Sequence, residues 1–267
     1  MGALSSDEIS RIRDSWFKGS PHEKIGVTER YVVFGEARRW MIGQLDFQKG
    51  ETLDVGSGHG FLTFELASMT TSHIVGLDFL SGEQMRMATR GSQLGGFTDR
   101  ISFLAADARR LPFPGYKFDA VVSFNALQDV SMTLGEKALG EVVEEACRVL
   151  RTGGVFAFAD NLFPECSRSD SQKLYGKIHR EDFRASLPSL ETLLSHLNSL
   201  KNLTQVQFDP RINLSEEEAR VELMDIADAR PFGMVVDFEA LWKKHHSSIR
   251  STGLSYPDVL LISGTKN

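Results

Sequence analysis

Leu53-Asp54-Val55-Gly56-Ser57-Gly58-His59-Gly60 runs from a short apolar stretch, Glu51 to Val55, into a segment of helical character, Phe61-Leu62-Thr63-Phe64-Glu65-Leu66-Ala67. Glycines at 56, 58 and 60 let the chain turn tightly and let backbone N–H groups approach a ligand that a Cβ would exclude. A dinucleotide fingerprint needs its third small residue one position later, but position 61 is Phe, so pyrophosphate binding is disfavoured. Asp78 lies 18 residues beyond Gly60, at the end of the next apolar run, where a carboxylate can accept hydrogen bonds from both hydroxyls of a ribose.

Working outward, short apolar runs alternate with helical patterns: ETLDV, HIVGLD, ISFLAAD, FDAVVSF and VFAFAD, with a long helix ending at CRVL before the last. That alternation is the mark of βαβ units and a parallel sheet, and it places an α/β core over residues 46–165. Ahead of it, residues 1–45 read as N-terminal helices, one from Ser6 to Phe17 and a second from about Thr28 to Leu45. Behind it come a helical stretch, SDSQKLYGKIHREDF, a further helix from about Ser189 to Leu200 and a strand near LTQVQF, within residues 166–208. Residues 209–257 form a partly helical insertion, and 258–267 supply the last strand, DVLLISGT, so that the whole chain makes one domain.

The composition fits this plan. The 267 residues can bury a full core, with 41% hydrophobic and 25% charged residues. There is no run of about 18 apolar residues to cross a bilayer, and the N-terminus is polar and acidic where a signal peptide would be basic and then apolar, which points to the cytoplasm. Two cysteines in unlike contexts, Cys147 and Cys166, make no disulfide framework, and no Cys/His spacing resembles a metal site. A net charge of −6 makes nucleic acid an unlikely partner, since such affinity comes from Lys and Arg neutralising phosphates.

Four ordered segments, LDVGSGHG, VGLDFLSGEQM, AADARRLPFPGYKFDAVVSFNAL and CRVLRTGG, together resemble the class I S-adenosylmethionine (SAM)-dependent methyltransferases, especially the subgroup of ubiquinone and menaquinone biosynthesis. The resemblance covers about residues 46–160. It implies a doubly wound, Rossmann-like sheet of seven mostly parallel strands with helices on both faces. It also implies SAM as cofactor and S-adenosylhomocysteine as product. Residue by residue, Asp54, Gly56, Gly58 and Gly60, with Ser57 and His59 in the same loop, surround the methionine part, and Asp78 grips the ribose. Phe79 packs on the adenine and Asp107 reads its amino group, with Ala106 and Ala108 leaving room for the ring. Asn125 stands near the sulfonium, with Gln128 and Asp129 toward the acceptor. Relatives often carry histidine where Gln128 and Asp129 stand, so the acceptor's chemistry, and whether O, N, C or S is methylated, is not readable. The Asn/Asp-Pro-Pro-Tyr/Phe tetrapeptide of amino-group methylators is absent.

Methyl transfer from a sulfonium needs alignment and exclusion of water more than a general base, which is why the motifs name the cofactor and not the acceptor. Of the histidines, His59 shapes the cofactor loop, and His179 belongs to an ordinary helix face or, with Tyr175, a lid. His245 and His246, adjacent on a helix, face different sides toward solvent and form no metal site. Phe232, Met234, Phe238 and Trp242 either wall an acceptor pocket or pack against the sheet edge, and the acids at 216–218 suit a helix start. A small-molecule acceptor is the leading expectation. Methylation of RNA or protein and a SAM-binding module without catalysis are the alternatives; a nicotinamide dehydrogenase, lacking a Tyr-x-x-x-Lys pair, is more remote. The oligomeric state is not legible.

Overall fold

The computed structural model describes residues 34–79, 82–185, 189–227 and 236–267, with the side chains of Glu83 and Met132 left aside. The expected first helix, and Phe232 and Met234, lie outside the described residues. The chain runs α1 (Gly35–Gly43), β1 (Glu51–Val55), α2 (Phe61–Met69), β2 (His73–Asp78), α3 (Glu83–Leu94), β3 (Ile101–Ala105), β4 (Phe118–Phe124), α4 (Leu127–Leu134), α5 (Glu136–Val149) and β5 (Leu150–Asp160). It continues through a 3₁₀ turn (Pro164–Cys166), α6 (Asp170–Asp182), α7 (Leu190–Leu194), β6 (Leu200–Phe208), β7 (Asn213–Leu214), α8 (Glu216–Ala227), α9 (Phe238–Thr252), β8 (Leu254–Ser255) and β9 (Val259–Lys266).

Seven strands form one sheet in the order β3-β2-β1-β4-β5-β9-β6. The first five are mutually parallel, while β9 is antiparallel to both neighbours, giving the α/β sheet expected from the alternation. The central strands are apolar runs because helices cover both faces, and Leu53, Phe118, Val121, Phe156 and Phe158 are almost fully buried. Helix α5 shows how the sequence chooses its face: Leu139, Val142, Val143, Ala146 and Val149 recur at helical spacing and are buried, with Glu136 in its first turn and Arg148 in its last.

One boundary differs from expectation. The helix expected from Ser189 to Leu200 stops at Leu194, after a start capped by Ser189 Oγ on the amide of Thr192 (3.3 Å). Leu200 is needed by the sheet, where it opens β6 opposite Lys266, and tertiary pairing outweighs local propensity. Among its described residues the insertion is partly helical as expected, with α8 and α9 bracketed by the small β7-β8 ribbon.

At the sheet edge holding the amino ends of the parallel strands, Lys266 is buried and its ammonium donates to the carbonyls of Cys147 (2.6 Å) and Leu150 (2.7 Å), 4.0 Å from the ring of Tyr116. Removing the donor strands buried carbonyls. Lys266→Met is expected to lower unfolding free energy by about 1–3 kcal/mol in urea titration, and an unchanged midpoint would show these contacts to be dispensable.

Candidate active site

The strand order reverses between β1 and β4, and the carboxyl ends of the parallel strands converge there on a crevice, the usual ligand position in such sheets. The loop leaving β1 fills one side of it. Gly56, Gly58 and Gly60 adopt φ of +74°, +51° and +87°, a left-handed backbone that favours glycine. Gly56 and Ser57 N–H donate to Leu77 C=O (2.8 and 2.9 Å), and Gly58 N–H donates to Asp78 Oδ2 (2.8 Å), so β2 holds the loop at two heights. A Cβ on Gly56 would overlap that of Ala126, and one on Gly60 would press on the ring of Phe64, whereas one on Gly58 would meet nothing within 4 Å. The loop is therefore packed at both ends and open at its middle.

Asp54 sits beneath this loop, buried, with Thr63 Oγ1 donating to its Oδ2 (2.6 Å). Burial pushes its pKa up to about 7; the Thr63 bond opposes this, the Asp78 charge adds to it, and Arg38 lowers it. Asn125, directly after β4, holds a left-handed φ of +51° while its N–H donates to Ala159 C=O (2.8 Å). Its side-chain Oδ1 is buried with no hydrogen-bond partner. Asn is among the residues that tolerate this left-handed backbone, and its unsatisfied buried oxygen lies at the carboxyl end of β4.

Residues 46–207 match the methyltransferase domain family. The chain belongs to that family. Its fold is that of the class I SAM-dependent methyltransferases, shared with YcgJ of Bacillus subtilis (TM-score 0.64, 19% identity, covering 87% of this chain and 99% of that one). A geranyl diphosphate methyltransferase solved with SAM also shares it (TM-score 0.59, 16% identity, 100% of this chain and 97% of that one). Among curated proteins the chain is 30% identical over 142 residues to the sterol 24-C-methyltransferase erg6 of Aspergillus fumigatus, 53% of this chain and 36% of that protein. The chain thus spans little more than a third of that relative's length. The resemblance holds for the methyltransferase class as a whole, and these relatives do not single out the quinone branch.

The methyltransferase domain gathers most of the expected residues at the crevice. His59 is partly buried and stacks on Phe61 (5.8 Å). Phe79 follows Asp78 with 69% of its surface exposed, an unusual state for a large aromatic group beside a cleft. Ala106, between β3 and Asp107, donates its N–H to Asp78 C=O (2.9 Å). Asp107 is turned onto its own loop: Oδ1 accepts from the Arg109 amide (2.9 Å) and both oxygens accept from its guanidinium, which holds the carboxyl below the usual range. Gln128 and Asp129 occupy the first turn of α4, half-buried. Gln128 N–H donates to Asp160 Oδ2 (3.4 Å).

Asp160 and Arg38 are site residues that the motifs did not point to. Asp160, at the end of β5, is buried, also accepts from the Leu162 amide (3.1 Å), and is pushed up to about 6 by burial. The signal for it was the acid closing VFAFAD. Arg38 breaks the apolar stripe Phe34, Met41, Leu45 with a charge, and is only 2% exposed.

Segments beyond the core close on the same end of β4. Phe34 meets Phe124 (6.0 Å) and Tyr256 (5.0 Å), Tyr256 meets Tyr175 (5.1 Å), and Tyr175 Oη donates to the buried Glu222 (2.9 Å). His179 is buried, stacked on Tyr175 (4.0 Å). His245 is not on a solvated surface: it is buried and bonded to Asp182 (2.7 Å), because α9 packs that face on α6. Its neighbour His246 bonds Glu216 (2.7 Å). Phe238 and Trp242 pack with Arg220 between α8 and α9.

The Asp54 shift carries a pH dependence of definite sign. The unfolded carboxyl releases its proton near 3.8 and the folded one near 7, so stability falls as pH rises between those values and levels off above. From pH 5 to pH 8 the wild type should lose roughly 1–3 kcal/mol more than Asp54→Asn. Denaturation curves at both pH values check this, since Asp160 is common to both proteins and cancels. Equal losses would place the ionisation elsewhere.

Proposed function

We propose that this protein is a SAM-dependent methyltransferase acting on a small-molecule acceptor. The observation carrying the reading is the loop packed at Gly56 and Gly60 and open at Gly58, set between a buried Asp54 and the unpartnered Oδ1 of Asn125. Those groups suit the cofactor: Asp54 takes its ammonium, the 56–60 backbone with Ser57 and His59 cradles the methionine chain, and Asp78 takes the ribose hydroxyls. Phe79 covers the adenine face, and Asp107 with Ala108 borders its edge. When bound, SAM would supply a methyl whose bond to sulfur breaks as an electron pair of the acceptor forms the new bond, leaving the neutral thioether.

The chain's own task is alignment and drying of the site. Asn125 orients groups at the β4 edge, and Gln128 and Asp129 face the acceptor side. A small acceptor is supported by the aromatic chain from Phe34 to Tyr175, which brings the later segments against the β4 end. The name of the curated relative, a sterol methyltransferase, agrees with an apolar acceptor. No helix among the described residues is long and apolar enough to cross a membrane. Both cysteines are free and buried, which suits a reducing, cytoplasmic setting.

Asp78 tests the cofactor assignment, because it also braces Gly58. Asp78→Ala should weaken S-adenosylhomocysteine binding by on the order of 2–4 kcal/mol, about 30- to 1000-fold, and Asp78→Asn by less. The lost brace should itself lower stability by about 1 kcal/mol. Calorimetric titration beside a denaturation curve separates the two effects. A lowered stability with an unaltered dissociation constant would leave Asp78 as a loop brace alone.

A further inference from the structure

β6 is the last strand of the sheet, with β9 on one side and no further strand on the other among the described residues. Its ends are covered, Leu200 by burial and Phe208 by stacking on Trp40 of α1 (5.1 Å). Between them Lys201 to Gln207 are seven consecutive exposed residues, and they include the large apolar side chains of Leu203 and Val206. At the opposite edge β3 is only five residues long, and Ile101, Phe103 and Leu104 are buried or half-buried. An unpaired strand offers its outward N–H and C=O groups to any chain that can lie beside it, and proteins block such an edge with charges, proline, a bulge or a covering element. From Leu200 to Phe208 there is one charge, Lys201, and no proline. The bulge in β6, where the register with β9 shifts between Lys201 and Thr204 and Asn202 takes a φ of +52°, is confined to its amino end. Beyond it Thr204 to Phe208 run in unbroken register opposite Ser263 to Val259, a regular and uncharged edge.

We propose that β6 pairs antiparallel with β6 of a second copy of this chain, about a two-fold axis at Gln205. Charge selects the occupant. With a net charge of −6, two copies repel through their acidic surfaces, and β6 is a stretch that contains no acid. Antiparallel pairing about Gln205 also sets Lys201 of one copy beside Asp209 of the other, twice, because each stands four residues from the axis. Asp209 is exposed and only loosely engaged by Arg168 (3.6 Å). At the axis the two Gln205 side chains meet, and a primary amide both donates and accepts, so each satisfies the other. Such a contact is isologous and closes at two copies. Both β5 and β6 are antiparallel to β9, so β6 runs with the parallel strands. The two-fold axis therefore turns the partner's crevice to the opposite edge of the joined sheet, and the inference stands independently of the cofactor reading.

Sedimentation equilibrium of the full chain tests the pairing, over roughly 1–100 μM protein. The wild type should shift from monomer to dimer across that range. Gln205→Lys and Gln205→Glu each set like charges opposite one another at the axis, and each alone should raise the dimer dissociation constant about 5- to 10-fold. An equimolar mixture of the two variants sets Lys against Glu and should return the constant to within about threefold of the wild type. Both variants should keep the wild-type melting temperature, since position 205 is exposed in the single chain. A wild type that stays monomeric at the highest concentration would overturn the proposal without any variant, and would leave the edge to another partner or to none. A dimer indifferent to both charges would place the interface elsewhere and overturn it equally. So would a dimer weakened by both variants but not restored by mixing them, because then no two-fold brings position 205 against itself.

Discussion

The bond from the Gly58 amide to the Asp78 carboxylate (2.8 Å) joins the loop after β1 to the end of β2, and the crevice takes its shape from that join. β1 is buried and flanked on both sides, by β2 and β4, so the chain leaving it has one way out. It must turn at once into α2, in a space where Gly56 and Gly60 admit no side chain. Two amides to Leu77 and one to Asp78 hold the turn, leaving its centre facing the β4 edge. Substitutions that move β2 relative to β1 would therefore disturb the crevice without touching it.

Around this frame the fold collects buried charge. Asp54 and Asp160, at the ends of neighbouring parts of the sheet, are both raised by burial, to about 7 and about 6. They differ in how they are satisfied. Asp160 has amides of the loop and of α4 for partners, and so fixes where α4 begins. Asp54 has the hydroxyl and the backbone amide of Thr63 for partners, with a nearby guanidinium, and so fixes the first turn of α2.

The segments after β5 add the far wall. Tyr175 on α6, Glu222 on α8 and Tyr256 ahead of β9 come together through one hydrogen bond and ring contacts, and Phe34 links them to Phe124. The Asp182 contacts to Lys244 (2.7 Å) and His245 (2.7 Å) tie α9 back to α6. The described parts of the insertion are thus fastened by polar pairs on one side and by aromatic packing on the other.

The central strands and the glycine loop were readable because their causes are local: apolar runs bounded by acids, and glycines at the spacing a tight strand-to-helix turn demands. Asp78 stood out in the same way, as the acid closing such a run, while Asp54 and Asn125 were named only by the resemblance. The end of the helix before β6 was not, since Leu200 is claimed by pairing with β9, a strand some sixty residues later. Nor was the burial of His245, which depends on α6 lying against α9. Arg38 is the clearest case. By sequence alone it is one of two adjacent arginines on a helix, and only the packing of α1 between the starts and ends of other elements sends Arg39 to Glu65 and Arg38 between Phe61 and Phe124. The sequence by itself determined the sheet, the loop and the carboxylates, through short-range pattern. Tertiary structure decided which charges are buried and what they face, because burial is a property of what packs above a residue and not of its neighbours in the chain.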